Sequence, residues 1–170
     1  MENEIINKVA QSGIVTIDLQ DFYQKGERVV YDLSTNLYQG LVLREKDFRA
    51  FIKEYDWSIY QDKYVSIVCT ADAIVPSWAY MLLITKIQPY AGKVIVGSEE
   101  SLEQLLYSDA LKGIRPEDFI DAKVVVKGCS DLPVPLFAYG EVVRLLLPFA
   151  SSIMYGEPCS TVPVYKRPKQ

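Results

Sequence analysis

Residues 75–97 read V-P-S-W-A-Y-M-L-L-I-T-K-I-Q-P-Y-A-G-K-V-I-V-G, and residues 134–156 read V-P-L-F-A-Y-G-E-V-V-R-L-L-L-P-F-A-S-S-I-M-Y-G. Laid over each other without a gap, they share Val75/Val134, Pro76/Pro135, Ala79/Ala138, Tyr80/Tyr139, Pro89/Pro148, Ala91/Ala150 and Gly97/Gly156. Trp78/Phe137 and Tyr90/Phe149 are aromatic in both stretches. Each copy reads as a helix launched after Val-Pro and stopped by a second proline, which lacks the N–H that a helix interior needs. A short apolar strand ending in glycine follows. Upstream of each copy lies a β-rich run, K-Y-V-S-I-V-C over 63–69 and A-K-V-V-V-K-G over 122–128. The stretch therefore reads as an internal duplication of one βαβ unit, about 63–97 and 122–156.

Alternation of strand and helix with apolar strands predicts an α/β fold, a mostly parallel sheet with helices on both faces, in a single three-layer domain over residues 1–170. The region 1–60 adds strands at 13–19, 28–33 and 39–43, then a helix over 45–55 with Phe48, Phe51, Ile52 and Tyr55 on one face. A further helix spans 98–111, with acids in its first turn. The tail 164–170 is basic and reads as flexible.

The totals narrow the function. Net charge is −4, which argues against nucleic acid and anionic membranes as partners. No apolar run is long enough to span a bilayer, and M-E-N-E-I-I lacks the layout of a signal peptide, so a cytoplasmic protein is expected. Histidine is absent. That excludes Ser-His-Asp and Cys-His catalysis and histidine-ligated metals. An enzyme with a cysteine nucleophile would need lysine or a carboxylate as base. There is no glycine-rich nucleotide fingerprint. A homodimer is the default expectation for a small protein of this kind.

Three cysteines share one phrase: Cys69-Thr-Ala-Asp-Ala-Ile-Val-Pro, Cys129-Ser-Asp-Leu-Pro-Val-Pro and Cys159-Ser-Thr-Val-Pro. Allowing a one-residue gap, Cys69 and Cys129 match within the duplication. Both fall just after strands, at the carboxyl edge where parallel sheets bind ligands. Cys159 follows a strand by way of Gly156-Glu157-Pro158. Were those strands neighbours, the thiols would lie within about 10 Å, given strand spacing of roughly 4.8 Å.

Three readings stay open. The cysteines can be small apolar core residues. They can be thiolate ligands of zinc or an iron–sulfur cluster, with Asp72, Asp131 or Glu157 as a fourth ligand and Thr70, Ser130 and Ser160 offering hydroxyl and N–H groups. The same edge can instead bind a small molecule or anion at helix N-termini, with Lys127 and Arg115 assisting. Tyr80 and Tyr139 read as helix–sheet packing, and Trp57 and Trp78 as core.

The segments V-A-Q-S-G-I-V-T-I-D-L, E-K-D-F-R, C-T-A-D-A-I-V-P-S-W-A-Y-M-L-L, V-K-G-C-S and M-Y-G-E-P-C-S-T-V-P-V-Y-K resemble an uncharacterised bacterial family known as a domain of unknown function, DUF2480, across essentially the whole chain. That family brings no assigned activity and no catalytic residues. The resemblance implies a role near iron–sulfur assembly proteins as partners, which favours the thiolate reading.

Overall fold

The computed structural model of the chain describes residues 13–128, 131–157 and 159–169. It is a mixed α/β fold of mostly parallel strands, as the sequence predicts. The strands divide between two sheets, where the sequence pointed to one. The chain forms two compact units, residues 25–103 and, discontinuously, 1–24 with 104–170.

The unit 25–103 is built on β2 (Arg28–Asp32), β3 (Tyr64–Val68) and β4 (Lys93–Val96), in spatial order β2-β3-β4, all parallel. Helix α1 (Glu45–Glu54) has acids in its first turn and Lys53 in its last, matching the helix dipole. It turns Phe48 and Ile52, one turn apart, into the core. Helix α2 (Ser77–Ile87) connects β3 to β4 and buries Ala79, Leu83 and Ile87. With Val65, Ile67, Trp57 and Tyr60 these form one apolar core. Burial of this kind is worth about 25 cal/mol per Å² of apolar surface.

The other unit takes β1 (Ile14–Asp18) from the N-terminal part and β5 (Lys123–Lys127), β6 (Ser152–Glu157) and β7 (Ser160–Lys166) from the C-terminal part. The order is β1-β5-β6-β7, with only β7 antiparallel. Helix α4 (Leu136–Leu146) connects β5 to β6 and buries Ala138, Val142 and Leu146 against Ile17, Val124, Val126 and Ile153. Helix α3 (Glu99–Leu111) follows β4, and its Tyr107 and Leu111 join this core.

The two βαβ segments correspond at a constant shift of 59 residues: Tyr64 to Lys123, Ser77 to Leu136 and Lys93 to Ser152. The likeness extends beyond them. Each unit has a one-turn helix before its central strand, Trp57–Tyr60 and Pro116–Phe119. Asp62 and Asp121 follow in left-handed conformation, φ 59° and 57°, and their N–H groups donate to Tyr90 O and Phe149 O. Each unit also begins with a strand that ends in aspartate. Asp18 and Asp32 cap the one-turn helices Leu19–Phe22 and Leu33–Asn36.

Two expectations change. Residues 39–43 are not a strand. Gln39 and Gly40 both have positive φ, and the chain turns tightly enough for Tyr38 N to donate to Val42 O at 2.7 Å. The tail is ordered through Arg167: β7 runs to Lys166, and Arg167 N donates to Ser151 O at 2.9 Å while its guanidinium reaches Phe149 O and Asp121.

Candidate functional site: the carboxyl edges of the two sheets

In the unit 25–103, β2 and β3 run parallel and end side by side, with Asp32 opposite Val68. Asp32 Oδ1 accepts from Ser34 N at 2.9 Å and Thr70 N at 3.1 Å, and Oδ2 accepts from the Thr70 hydroxyl at 2.5 Å. The Thr70 hydroxyl, with the Ser34 and Thr70 N–H groups, lowers the Asp32 pKa to about 2. This carboxylate is ionised throughout the physiological range and locks the start of the β3–α2 loop.

Cys69 is half-buried, and its thiol points at Ala71 O, 3.8 Å away. Tyr80, in the first turns of α2, has its hydroxyl pKa raised by burial and by the neighbouring Cys69. Asp72 is exposed. Helix α2 then begins after Pro76, which occupies the cap position and has no side-chain acceptor to offer.

In the other unit, Asp18 lies opposite Lys127 across β1 and β5. Asp18 Oδ1 accepts from Gln20 N at 3.1 Å. Lys127 Nζ lies 3.3 Å from Asp18 Oδ2 and 3.7 Å from Glu157 Oε1. Asp18 first, then Glu157, raise the Lys127 pKa. Tyr139 stands over Gly128, the residue after β5: a Cβ there would meet the Tyr139 hydroxyl at 2.6 Å and Leu19 Cβ at 3.2 Å. The Tyr139 ring meets Tyr155 edge-on, centroids 5.9 Å apart. Helix α4 begins after Pro135, again without a side-chain cap. Cys159 is exposed between β6 and β7, where Ser160 pairs with Glu157. Asp131 is exposed.

The predicted residues are therefore sorted between two edges. Thr70, Cys69 and Asp72 follow β3; in the other sheet Lys127 and Glu157 end β5 and β6, Asp131 lies beyond β5, Cys159 lies between β6 and β7, and Ser160 begins β7. The neighbouring-strand premise for three converging thiols is not met, because β3 belongs to a different sheet from β5 and β6. Cys129 and Ser130 lie outside the described residues.

Among the described residues no group of three or more cysteine or carboxylate side chains is placed to hold a metal ion. The carboxylates that do meet at an edge, Asp18 and Glu157, already share the cation of Lys127. The described residues thus give no support to zinc or an iron–sulfur cluster. Arg115 precedes β5 and pairs with Asp118 at 3.3 Å, so it belongs to the start of the strand rather than its carboxyl end.

The 59-residue shift also corrects the cysteine match. It sets Cys69 against Gly128, and the site agrees: the tyrosine after each uncapped helix start, Tyr80 or Tyr139, faces Cys69 in one unit and Gly128 in the other. No gap is needed. The expectation of small apolar core residues fails for Cys159, which is exposed, whereas the half-buried Cys69 packs against the core of its unit. Sequence reasoning missed Asp18 and Asp32. Their signal is the Asp-Leu pair that closes both apolar runs, I-D-L and Y-D-L.

The class is then a two-unit, mostly parallel α/β protein with a polar carboxyl edge on each sheet. The chain belongs to the protein family of unknown function DUF2480, whose family model matches residues 3–167. Comparison with curated proteins and with solved structures gives no match. No helix among the described residues is long and apolar enough to cross a membrane.

Proposed function

We infer that the chain is a non-enzymatic binding protein that takes a small polar anion at the carboxyl edges of its sheets. The observation that carries this reading is the repeated start of α2 and α4. In both, a proline stands where a capping side chain would, which leaves the helix N-terminus to a ligand. First-turn N–H groups and the helix dipole then favour an anion. In the second unit Lys127 adds a cation, and Glu157, its longer and more exposed partner, is the group an anion would displace. The chain has no histidine, and the Cys69 thiol turns to a backbone carbonyl rather than to a base, which speaks for binding rather than nucleophilic chemistry.

The test is an amide NMR titration of the whole chain with inorganic phosphate and with citrate. Shifts concentrated at Ser77–Ala79, Leu136–Ala138 and Lys127 are expected, and Lys127→Ala weakens only the response of the second edge. Millimolar anion that leaves both helix starts unmoved overturns the reading.

A second reading rests on the exposure of Cys159. It is a thiolate-held zinc or iron–sulfur site that includes Cys129, acting in the cytoplasm with iron–sulfur assembly proteins, in a monomer or a homodimer. Metal and acid-labile sulfide per chain, in protein purified without oxygen, tests it. Stoichiometric metal lost in Cys129→Ser supports it, and metal-free folded protein that resists reconstitution rejects it.

A further inference from the structure

The unit 25–103 carries a groove of about 480 Å³ between α1, α2 and the turn after α2. Small-molecule sites typically run from about 300 to 1,000 Å³. Its apolar part comes from the buried Trp57 and Ile52 and the half-buried Leu82. Its cations come from both walls, Arg49 and Lys53 on α1 and Lys86 on α2, and among the described residues no acid lines it. In a chain of net charge −4, that is a local reversal of sign. Arg49 is anchored by Glu45 at 2.9 Å and lies over the Trp78 ring at 5.3 Å. Lys53 and Lys86 form no ion pair among the described residues, so their charge is available to a ligand.

We propose that this groove is a binding site for a small organic acid with an aromatic or short aliphatic body, the body resting on Trp57 and Leu82 and the acid group between Lys53 and Lys86. A simpler role exists for the lysines. Each sits in the last turn of its helix, where a cation offsets the partial negative charge of the helix end. That role does not require both to face one groove. It also leaves unexplained why the groove has an apolar floor and no acid. The site is independent of the carboxyl edges, and the experiment separates the two.

The probe is anilinonaphthalene sulfonate, an aromatic acid, added to the whole chain and followed by fluorescence and amide NMR. Its neutral counterpart, phenylnaphthylamine, is the control. Amides of Lys53, Trp57, Lys86 and Tyr90 are expected to move. Lys53→Gln with Lys86→Gln is expected to weaken binding about tenfold, the scale of two exposed charge contacts. Added salt should weaken the acid but not the neutral compound. Both lysines are exposed, so the double variant keeps the fold, and an unchanged far-ultraviolet spectrum checks this. Equal binding of the neutral compound, or undiminished binding by the double variant, overturns the proposal. Shifts confined to Ser77–Ala79 and Leu136–Ala138 overturn it as well and assign the acid to the carboxyl edges.

Discussion

Gly128→Ala is the substitution that tests the geometry of the second carboxyl edge most directly. Gly128 is not in the left-handed region, so alanine is allowed by the backbone. Stiffening the unfolded chain contributes about 0.4–1 kcal/mol in its favour. Against this stands the clash. The new methyl group would lie 2.6 Å from the Tyr139 hydroxyl, with Leu19 Cβ and Tyr139 Cζ both at 3.2 Å. Overpacking of this degree costs about 1–3 kcal/mol. The expected net loss is up to roughly 2.6 kcal/mol, the difference between the two effects.

Tyr139→Phe removes the 2.6 Å contact and leaves the two at 3.2 Å. In that background Gly128→Ala should therefore cost less, by about 1 kcal/mol, a coupling typical of residues in contact. Urea unfolding of the four proteins in the cycle measures it. If Gly128→Ala costs the same with and without the hydroxyl, to within about 0.3 kcal/mol, then Tyr139 does not press on Gly128. The correspondence of Cys69 with Gly128 would lose its structural support.

Thr70→Val should raise the Asp32 pKa from about 2 toward the ordinary 3.8, but not fully, because Ser34 N and Thr70 N still donate. A carboxyl NMR titration reads this. Since the folded pKa is depressed, the stabilisation from Asp32 is present above about pH 4 and lost as pH falls toward 2; Thr70→Val should flatten that part of the stability curve, and an unshifted Asp32 refutes the network. Leu83→Ala and Leu146→Ala truncate fully buried side chains, one in each of the two cores, and each should cost about 2–5 kcal/mol by denaturant melts. A thiol reagent should label Cys159 at once and Cys69 slowly; equal rates would contradict their exposures.

The helices were legible almost to the residue. Prolines 76, 89, 135 and 148 mark the ends of α2 and α4, and a Pro leaves a physical signature in the letters because it lacks an N–H. Strand β7 was hidden for the same reason. Pro163 argues against a strand, yet it is tolerated because β7 is an edge and pairs only with β6, where Met154 faces it beside an irregular register. Residues 39–43 misled in the opposite sense: apolar letters sit in a tight turn that Gln39 and Gly40 hold at positive φ. Strand partners were not legible at all. β1 pairs with β5 across the whole inserted unit, and nothing in either strand's composition names its neighbour.

The cysteine phrase shows how a resemblance of letters departs from one of backbones. Matching Cys69 to Cys129 required a gap, whereas the strands and helix of the two βαβ segments, the one-turn helix before each and the left-handed aspartates keep the 59-residue shift. At that shift Val68 answers to Lys127 and Cys69 to Gly128. The two edges therefore share a scaffold and differ in chemistry. One holds a fixed carboxylate on Thr70 beside a thiol, and the other holds a lysine between two acids. A ligand that read only the uncapped helix starts would bind both alike. One that needs a cation would choose the Lys127 edge, so unequal titration of Ser77–Ala79 and Leu136–Ala138 by one anion follows from Lys127 and should vanish in Lys127→Ala. If the inequality survives that change, the discrimination lies in the loops rather than in the charge.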